Sequence, residues 1–404
     1  MSFRPIYSLF GKLNYVENGR KTFSLHRLSD QHLLLQKTCR DFAEKELKPI
    51  ASHLDKESKF PAQQIEKLGQ LGLLAITCDT KYGGSGENSL GLSVAVEEIS
   101  KACGGTGAIV SIHNALYVNL LNTFGTEKQK KEFLTPFTCG NIGCFALSEA
   151  DAGSDVSALS TTAKLSGNVY VLNGRKTWVT SGIEGKAAII FATIDKTLKH
   201  KGICSFIVPM STEGLSTGKP EDKMGIRASS TCDIYLENVC VPKENMIGAP
   251  GEGFMIAMKQ LEKARVGIAS QALGIGQAAL ELAVKYSSER RAFGHPINQL
   301  QAVKLRLGEM STKLEAARLL VWRAAVVSDE ESRSSKYTSM AKLAASEAAT
   351  FVTHGAIQIL GGMGYVREMP AERHYRDARI TEIYAGVNDI QKLLISDMLV
   401  KEYK

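Results

Sequence analysis

The residues best suited to chemistry in this 404-residue chain are glycines, cysteines and basic side chains, and most of them fail the spacing tests for familiar sites. Gly83, Gly84 and Gly86 look like a phosphate-cradling loop. No Gly-Lys-Ser/Thr follows them, so a surface loop is expected. No G-x-G-x-x-G stands between a strand and a helix. Cys39, Cys78, Cys103, Cys139, Cys144, Cys204, Cys232 and Cys240 form no C-x-x-C pair and have no histidine cluster beside them. They read as reduced, mostly buried thiols, and no metal site is expected. The formal charge is +7. Part of it sits at the N-terminus, where Arg4, Lys12, Arg20, Lys21 and Arg27 face only Glu17 among acidic residues. Serines and aromatic residues fill the gaps. Residues 1–28 therefore have the composition of a mitochondrial presequence, with a plain basic tail as the alternative. No basic stripe is interleaved with aromatics, so nucleic acid is not an expected partner. No apolar run is long enough to cross a bilayer, so no membrane insertion is expected.

The elements around these residues change texture along the chain. From Ser29 to about Gly140 the apolar spacing is helical. Ser29 caps a first helix through Leu33, Leu34, Phe42, Leu47 and Ile50, which Pro49 bends or ends. Further helices are expected near Pro61–Leu68, Leu90–Lys101, Ala108–Asn122 and Glu127–Phe137. From about Ile142 to Pro242, short β-branched or aromatic runs predict strands at Cys144–Leu147, Val169–Leu172, Ala188–Thr193, Ile203–Val208 and Cys232–Leu236. Asn173–Gly174 predicts a hairpin turn between Val169–Leu172 and Thr177–Thr180. After Gly251 the pattern is helical again and rich in Ala and Leu. Strand and helix do not alternate, which argues against a nucleotide-binding α/β fold. The resulting divisions are 29–140, 141–245 and 246–404.

Four stretches in this order resemble the acyl-CoA dehydrogenase family, most nearly its short-chain members. They are Ala146-Leu-Ser-Glu-Ala-Asp-Ala-Gly-Ser-Asp155, Met224-Gly-Ile-Arg-Ala-Ser-Ser-Thr231, Arg290-Arg-Ala-Phe-Gly294, and Gln358-Ile-Leu-Gly-Gly-Met-Gly-Tyr365 followed by Arg376-Asp-Ala-Arg-Ile380. The resemblance implies an α+β chain with an N-terminal helical domain, a middle β-barrel domain and a C-terminal four-helix bundle. It implies FAD as cofactor and a fatty acyl-CoA thioester as substrate. It also implies electron transfer flavoprotein as electron acceptor, a homotetramer and the mitochondrial matrix. The implied reaction is α,β-dehydrogenation of a short-chain acyl-CoA in fatty-acid or branched-chain oxidation.

Site residues follow by the same resemblance. Phe145, Ala146, Leu147, Ser148, Gly153 and Ser154 line the flavin, where small residues allow close approach to a flat ring. Ser154 also meets substrate. Trp178, Val179 and Thr180 make a second flavin contact, with Val387, Asn388 and Asp389 beside it. Arg290, Phe293 and Gln301 hold the pyrophosphate and adenine, often across a subunit boundary, and a guanidinium fork suits a diphosphate. Gln358, Gly361 and Gly362 contact the same dinucleotide. Glu262 and Arg265 lie near the CoA moiety, and Gly386 lies near the thioester.

One departure stands out. Family members carry a catalytic Glu after the Ile-Tyr of the last motif, or else immediately before the Arg on the long helix. Here those positions are Ala385 and Ala264. Glu262 lies about 200° around a helix from Ala264, and Glu382 and Asp389 are the remaining nearby carboxylates. The main-chain N–H of Ala385, which in the family donates to the thioester carbonyl, is retained. Val387 replaces a family hydroxyl with an apolar branch. Two readings follow: a dehydrogenase of this fold, or a catalytically impaired binder of FAD and acyl-CoA. A flavin oxidase ranks behind both, because the related oxidases are longer.

Overall fold

The computed structural model describes residues 28–330 and 334–404, so the basic segment expected over 1–28 lies outside these residues except for Leu28. Helices α1 (Asp30–Phe42), α2 (Ala51–Lys56), α3 (Ala62–Gln70), α4 (Ser89–Ala102), α5 (Gly104–Ile112), α6 (Asn119–Phe124) and α7 (Glu127–Phe133) come first. Ser29 caps α1 by accepting from the His32 N–H at 3.2 Å. Beyond Phe42 the helix widens into a π-turn over Ala43–Leu47 and stops at Pro49. A second π-turn, His113–Val118, joins α5 to α6. The apolar faces of α1, α3 and α4 close around Leu47, Leu68, Leu74, Ile76 and Ile99.

The middle region holds β1 (Gly143–Ala146), β2 (Thr162–Ser166), β3 (Val169–Thr180), β4 (Ala187–Thr193), β5 (Ile203–Pro209), β6 (Leu215–Thr217), β7 (Thr231–Pro242) and β8 (Met246–Ile247). They form one eight-stranded sheet in the order β6-β7-β3-β2-β4-β5-β8, with β1 pairing parallel to β4. Among the described residues the hydrogen-bonded order runs from β6 at one end to β8 at the other. β4 is buried along its whole length because its faces serve different cores. Ile189 and Phe191 pack with the helical domain, while Ala188, Ile190 and Ala192 pack against β3, β5 and β7. A continuous apolar run is the signature of such two-sided burial.

The hairpin expected at Asn173–Gly174 is not there. β3 runs straight through it, and the reversal comes earlier, at Gly167 with φ +58° between β2 and β3. Asn173–Gly174 instead marks a shift of register against β7. Gly174 is needed because a Cβ there would lie 2.5 Å from Thr161 Oγ1. The dipeptide thus supplies a bulge rather than a turn.

The last region comprises α8 (Gly253–Glu289), a two-residue hairpin of β9 (Arg291–Ala292) and β10 (His295–Pro296), α9 (Gln301–Glu330), α10 (Ser335–Leu360), α11 (Gly362–Tyr365), α12 (Ala371–Arg379) and α13 (Asn388–Glu402). α10 packs against α8, α9, α12 and α13. Alanines 269, 272, 279, 283, 345, 349 and 356 fill that core, and their small side chains let the helices approach closely. The three regions meet at Ile226, which sits at φ +44°, a strained value for a β-branched residue. Asp377 on α12 accepts its N–H at 2.5 Å. Arg376 holds Asp55 of α2 at 2.7 Å and the Met224 carbonyl at 2.9 Å.

His113 ties the helical region to β1. Gly143 N–H donates to its Nδ1 at 3.1 Å, so its Nε2 carries the proton and donates to the Phe137 carbonyl at 2.9 Å. Burial pulls its pKa down to about 4, and burial with the nearby Arg373 pulls that of His374 down to about 3. Both rings stay neutral in the fold while the unfolded chain takes up protons below about pH 6.5. The unfolded state then binds more protons, so stability falls with pH from about 6.5 towards 4. For His113 alone the loss is on the order of 3 kcal/mol. Urea midpoints measured across this range should show the slope, and His113→Gln should reduce it.

Candidate active site

The loop leaving β1 rests on a buried ion pair. Glu149 and Lys176 lie 2.7 Å apart with almost no solvent exposure. Glu149 also accepts from the N–H groups of Ser160 and Thr161 at 2.6 and 3.0 Å, and Lys176 donates to the Leu147 carbonyl at 3.0 Å. Burial opposes ionisation of Glu149, but Lys176 and these donors hold its carboxyl well below the usual range. Thr177 N–H donates to the Ser148 carbonyl at 2.9 Å, which fastens β3 to the same loop.

Just past that bond, β3 bulges between Lys176 and Val179. Trp178 sits there at φ +59° with its side chain 65% exposed. An indole splayed from a strained bulge is what a flat ring would stack beside. The hydroxyls of Ser148 and Ser154 and the N–H groups of Ser148, Gly153 and Ser154 have no partner among the described residues. A Cβ on Gly153 would meet open space. Ala146, Leu147 and Val179 turn their side chains into the core, leaving only their main chain for a ligand. Phe145 and Thr180 are half-buried.

The turn after α12 approaches the same place. Ala385 has φ +52° and Gly386 φ +91°, consecutive left-handed residues. Their N–H groups find no acceptor among the described residues. Tyr384, next to them, packs in one apolar cluster with Ala264, Leu261, Ile112, Ala115, Leu116 and Phe145. Ala264, one position where the family places its carboxylate, thus shares a cluster with Tyr384, the neighbour of the other, and both positions carry methyl groups. Tyr384 donates to Gln271, whose amide in turn donates to the Gly104 carbonyl at 2.9 Å. This chain anchors the turn to α8 and α5.

Two of the three nearby carboxylates are engaged elsewhere. Glu262 accepts from Ser334, and Glu382 from Thr350 and Arg379. Asp389 is exposed in the first turn of α13. Val387 begins that helix without a side-chain cap, as its apolar branch dictates. Arg265 is 8% exposed and donates through one Nη to Ser335 and Ser339 at 3.1 and 3.0 Å, which braces α8 against α10, while its Nε has no partner among the described residues. Asn388 turns its carboxamide inward, because a buried ammonium, Lys342, donates to its Oδ1 at 2.9 Å. Sequence reasoning missed Lys342. The signal was there: 342, 345, 346, 349, 352, 353 and 356 share the buried stripe of α10.

The remaining expected residues form a separate group. Arg290, Phe293 and Gln301 are exposed where α8 passes into α9, and Phe293 stands 87% exposed at φ +52° on the β9–β10 hairpin. Gln358, Gly361 and Gly362 are exposed at the end of α10, and a Cβ on either glycine would meet nothing. No hydrogen bond among the described residues joins this group to the loop at Phe145–Ser154. No group of three or more metal-ligating side chains occurs among the described residues.

Free donors on a small-residue loop, an exposed indole and a pair of unpaired main-chain N–H groups fit a planar, acceptor-rich ring and a carbonyl beside it. Such an arrangement suits a flavoprotein oxidoreductase. Patterns of the acyl-CoA dehydrogenase N-terminal, middle and C-terminal domains match residues 29–141, 144–239 and 251–400. The mitochondrial short-chain specific acyl-CoA dehydrogenase of Bos taurus is 54% identical over 378 residues, covering 93% of this chain and 92% of that protein. The short-chain specific acyl-CoA dehydrogenase of Clostridium acetobutylicum is 43% identical over 93% of this chain and 99% of its own. The solved butyryl-CoA dehydrogenase of Megasphaera elsdenii superposes with a TM-score of 0.91 at 40% identity, over 93% of this chain and 99% of that one. The chain belongs to the acyl-CoA dehydrogenase family, whose members are FAD-dependent flavoproteins.

Proposed function

We propose that this protein binds FAD and a short acyl-CoA and catalyses α,β-dehydrogenation of the thioester, slowly for want of a positioned base. The observation that carries this reading is the half-buried turn at Ala385–Gly386, with two free N–H groups beside the apolar cluster of Ala264, Tyr384 and Phe145. Ser148, Gly153, Ser154, Trp178 and Thr180 would hold the flavin ring. Arg290, Phe293, Gln301, Gln358, Gly361 and Gly362 would hold its nucleotide end. When bound, FAD supplies the acceptor for the hydride leaving Cβ.

The protein's own contribution is to bind, orient and exclude water. The Ala385 N–H donates to the thioester oxygen as negative charge develops there. The surrounding apolar side chains keep the reacting carbons dry. With methyl groups at 385 and 264, proton removal from Cα has no side-chain acceptor in place. Short acyl groups are favoured by the similarity to the bovine and clostridial short-chain enzymes. The matrix location and the presequence at 1–28 rest on the mitochondrial relatives and on the basic composition of that segment. Electron transfer flavoprotein is the acceptor the family implies. A homotetramer is supported by the family and by exposed apolar side chains at Phe293, Leu305 and Tyr365.

Anaerobic addition of butyryl-CoA to the yellow holoprotein tests the proposal. Slow but complete loss of the flavin absorbance is expected. A spectral shift with no bleaching over hours would leave a binder of FAD and acyl-CoA, favoured by the two alanines. No spectral response would refute the acyl-CoA site itself.

A further inference from the structure

Lys342 is 0% exposed within α10, an ammonium to which the proposed function gives no role. Its Nζ donates to the Gly386 carbonyl and to Asn388 Oδ1, both at 2.9 Å. Each of those oxygens already has a neutral donor. Gln391 Nε2 reaches the Gly386 carbonyl at 2.9 Å, and Ser346 Oγ reaches Asn388 Oδ1 at 3.1 Å. Satisfying them does not require a charge, and burying one is unfavourable. That burial pulls the pKa of Lys342 down to about 8. The groups that act on it are Glu382, which favours the ammonium, and Arg265, which opposes it. Glu382 is itself engaged by Arg379 and Thr350. Positive charge therefore lies directly beneath a turn whose residue 385 carries no carboxylate to balance it.

We infer that Lys342 is the positioning residue of this turn: through the Gly386 carbonyl and Asn388 it fixes the N–H groups of Ala385 and Gly386 and sets a positive charge behind them that favours the enolate form of a bound thioester. The inference deepens the proposed function and rests on it. A thioester that enolises without a protein base, a 3-ketoacyl-CoA, serves as the probe of that charge. Binding as the enolate moves the ligand's α-proton to solvent and leaves the negative charge on the carbonyl oxygens. No electron changes hands.

The test uses holoprotein, Lys342→Met and Lys342→Gln, each titrated with acetoacetyl-CoA at several pH values below about 8, where Lys342 keeps its proton. The long-wavelength absorbance of the enolate against the flavin is followed. In the unaltered protein the bound ligand should ionise at lower pH than the free ligand. Both variants should raise its apparent pKa by about one unit, a tenfold weaker acid, with flavin content unchanged. The neutral donors Gln391 and Ser346 remain to hold the turn, so the fold should survive. An apparent pKa in Lys342→Met equal to that of the parent overturns the inference. So does loss of flavin from both variants, which would make Lys342 a support of the fold alone. A parent protein that shows no response to any acyl-CoA fails the proposed function instead, and the two failures are distinct.

Discussion

Ala385→Glu should accelerate bleaching of the flavin by butyryl-CoA by roughly 10²–10⁴-fold, the usual worth of a positioned base. The backbone already holds Ala385 at φ +52°, so a longer side chain adds little new strain there. Its carboxylate would enter the cluster of Ile112, Leu116, Leu261 and Ala264, where burial raises the pKa of an acid towards neutrality, as a general base requires. Ala264→Glu approaches the same cluster from α8 and should give a smaller gain in the same direction. Stopped-flow traces under anaerobic conditions measure both. An Ala385→Glu protein that holds FAD and acyl-CoA yet bleaches no faster would show that the base is not what this chain lacks.

The second large effect concerns folding. Glu149→Gln leaves the Lys176 ammonium buried without a counter-charge, which costs about 3–5 kcal/mol. The loss reaches the site, because Lys176 also holds the Leu147 carbonyl and Glu149 gathers the Ser160 and Thr161 N–H groups. Purified Glu149→Gln should retain less FAD and unfold at lower urea. The double variant Glu149→Gln/Lys176→Met removes both charges and should recover much of the stability. Equal midpoints for the single variant and its parent would contradict the assignment.

The helical regions were readable because a 3.6-residue apolar period and the Ser29 and Pro49 signals act locally. The sheet was readable in composition but not in pairing. β3 was split at Asn173–Gly174, since the same dipeptide serves a turn or a bulge, and only the pairing with β7 on both sides of it decides. The loop at 145–154 stands out by resemblance, yet its foundation does not. Lys176 and Glu149 stand 27 residues apart, and in a strand a lysine ordinarily signals a solvated face. The orientation of Asn388 was unreadable for a related reason, because it is set by Lys342 from another helix. Buried charge pairs are long-range facts, and a local pattern carries no trace of the partner.

α8 joins Ala264, proposed for the thioester end, to Arg290, proposed for the nucleotide end, through one uninterrupted helix. At 1.5 Å per residue their separation along that rod is about 40 Å. A stretched dinucleotide is shorter than this. Under the proposed roles, the arginine that grips a given cofactor and the cluster that receives its ring therefore come from two polypeptides. In the homotetramer proposed above, cofactor retention would be a property of assembly: a monomer set free by dilution would carry two half-sites and be able to fill neither.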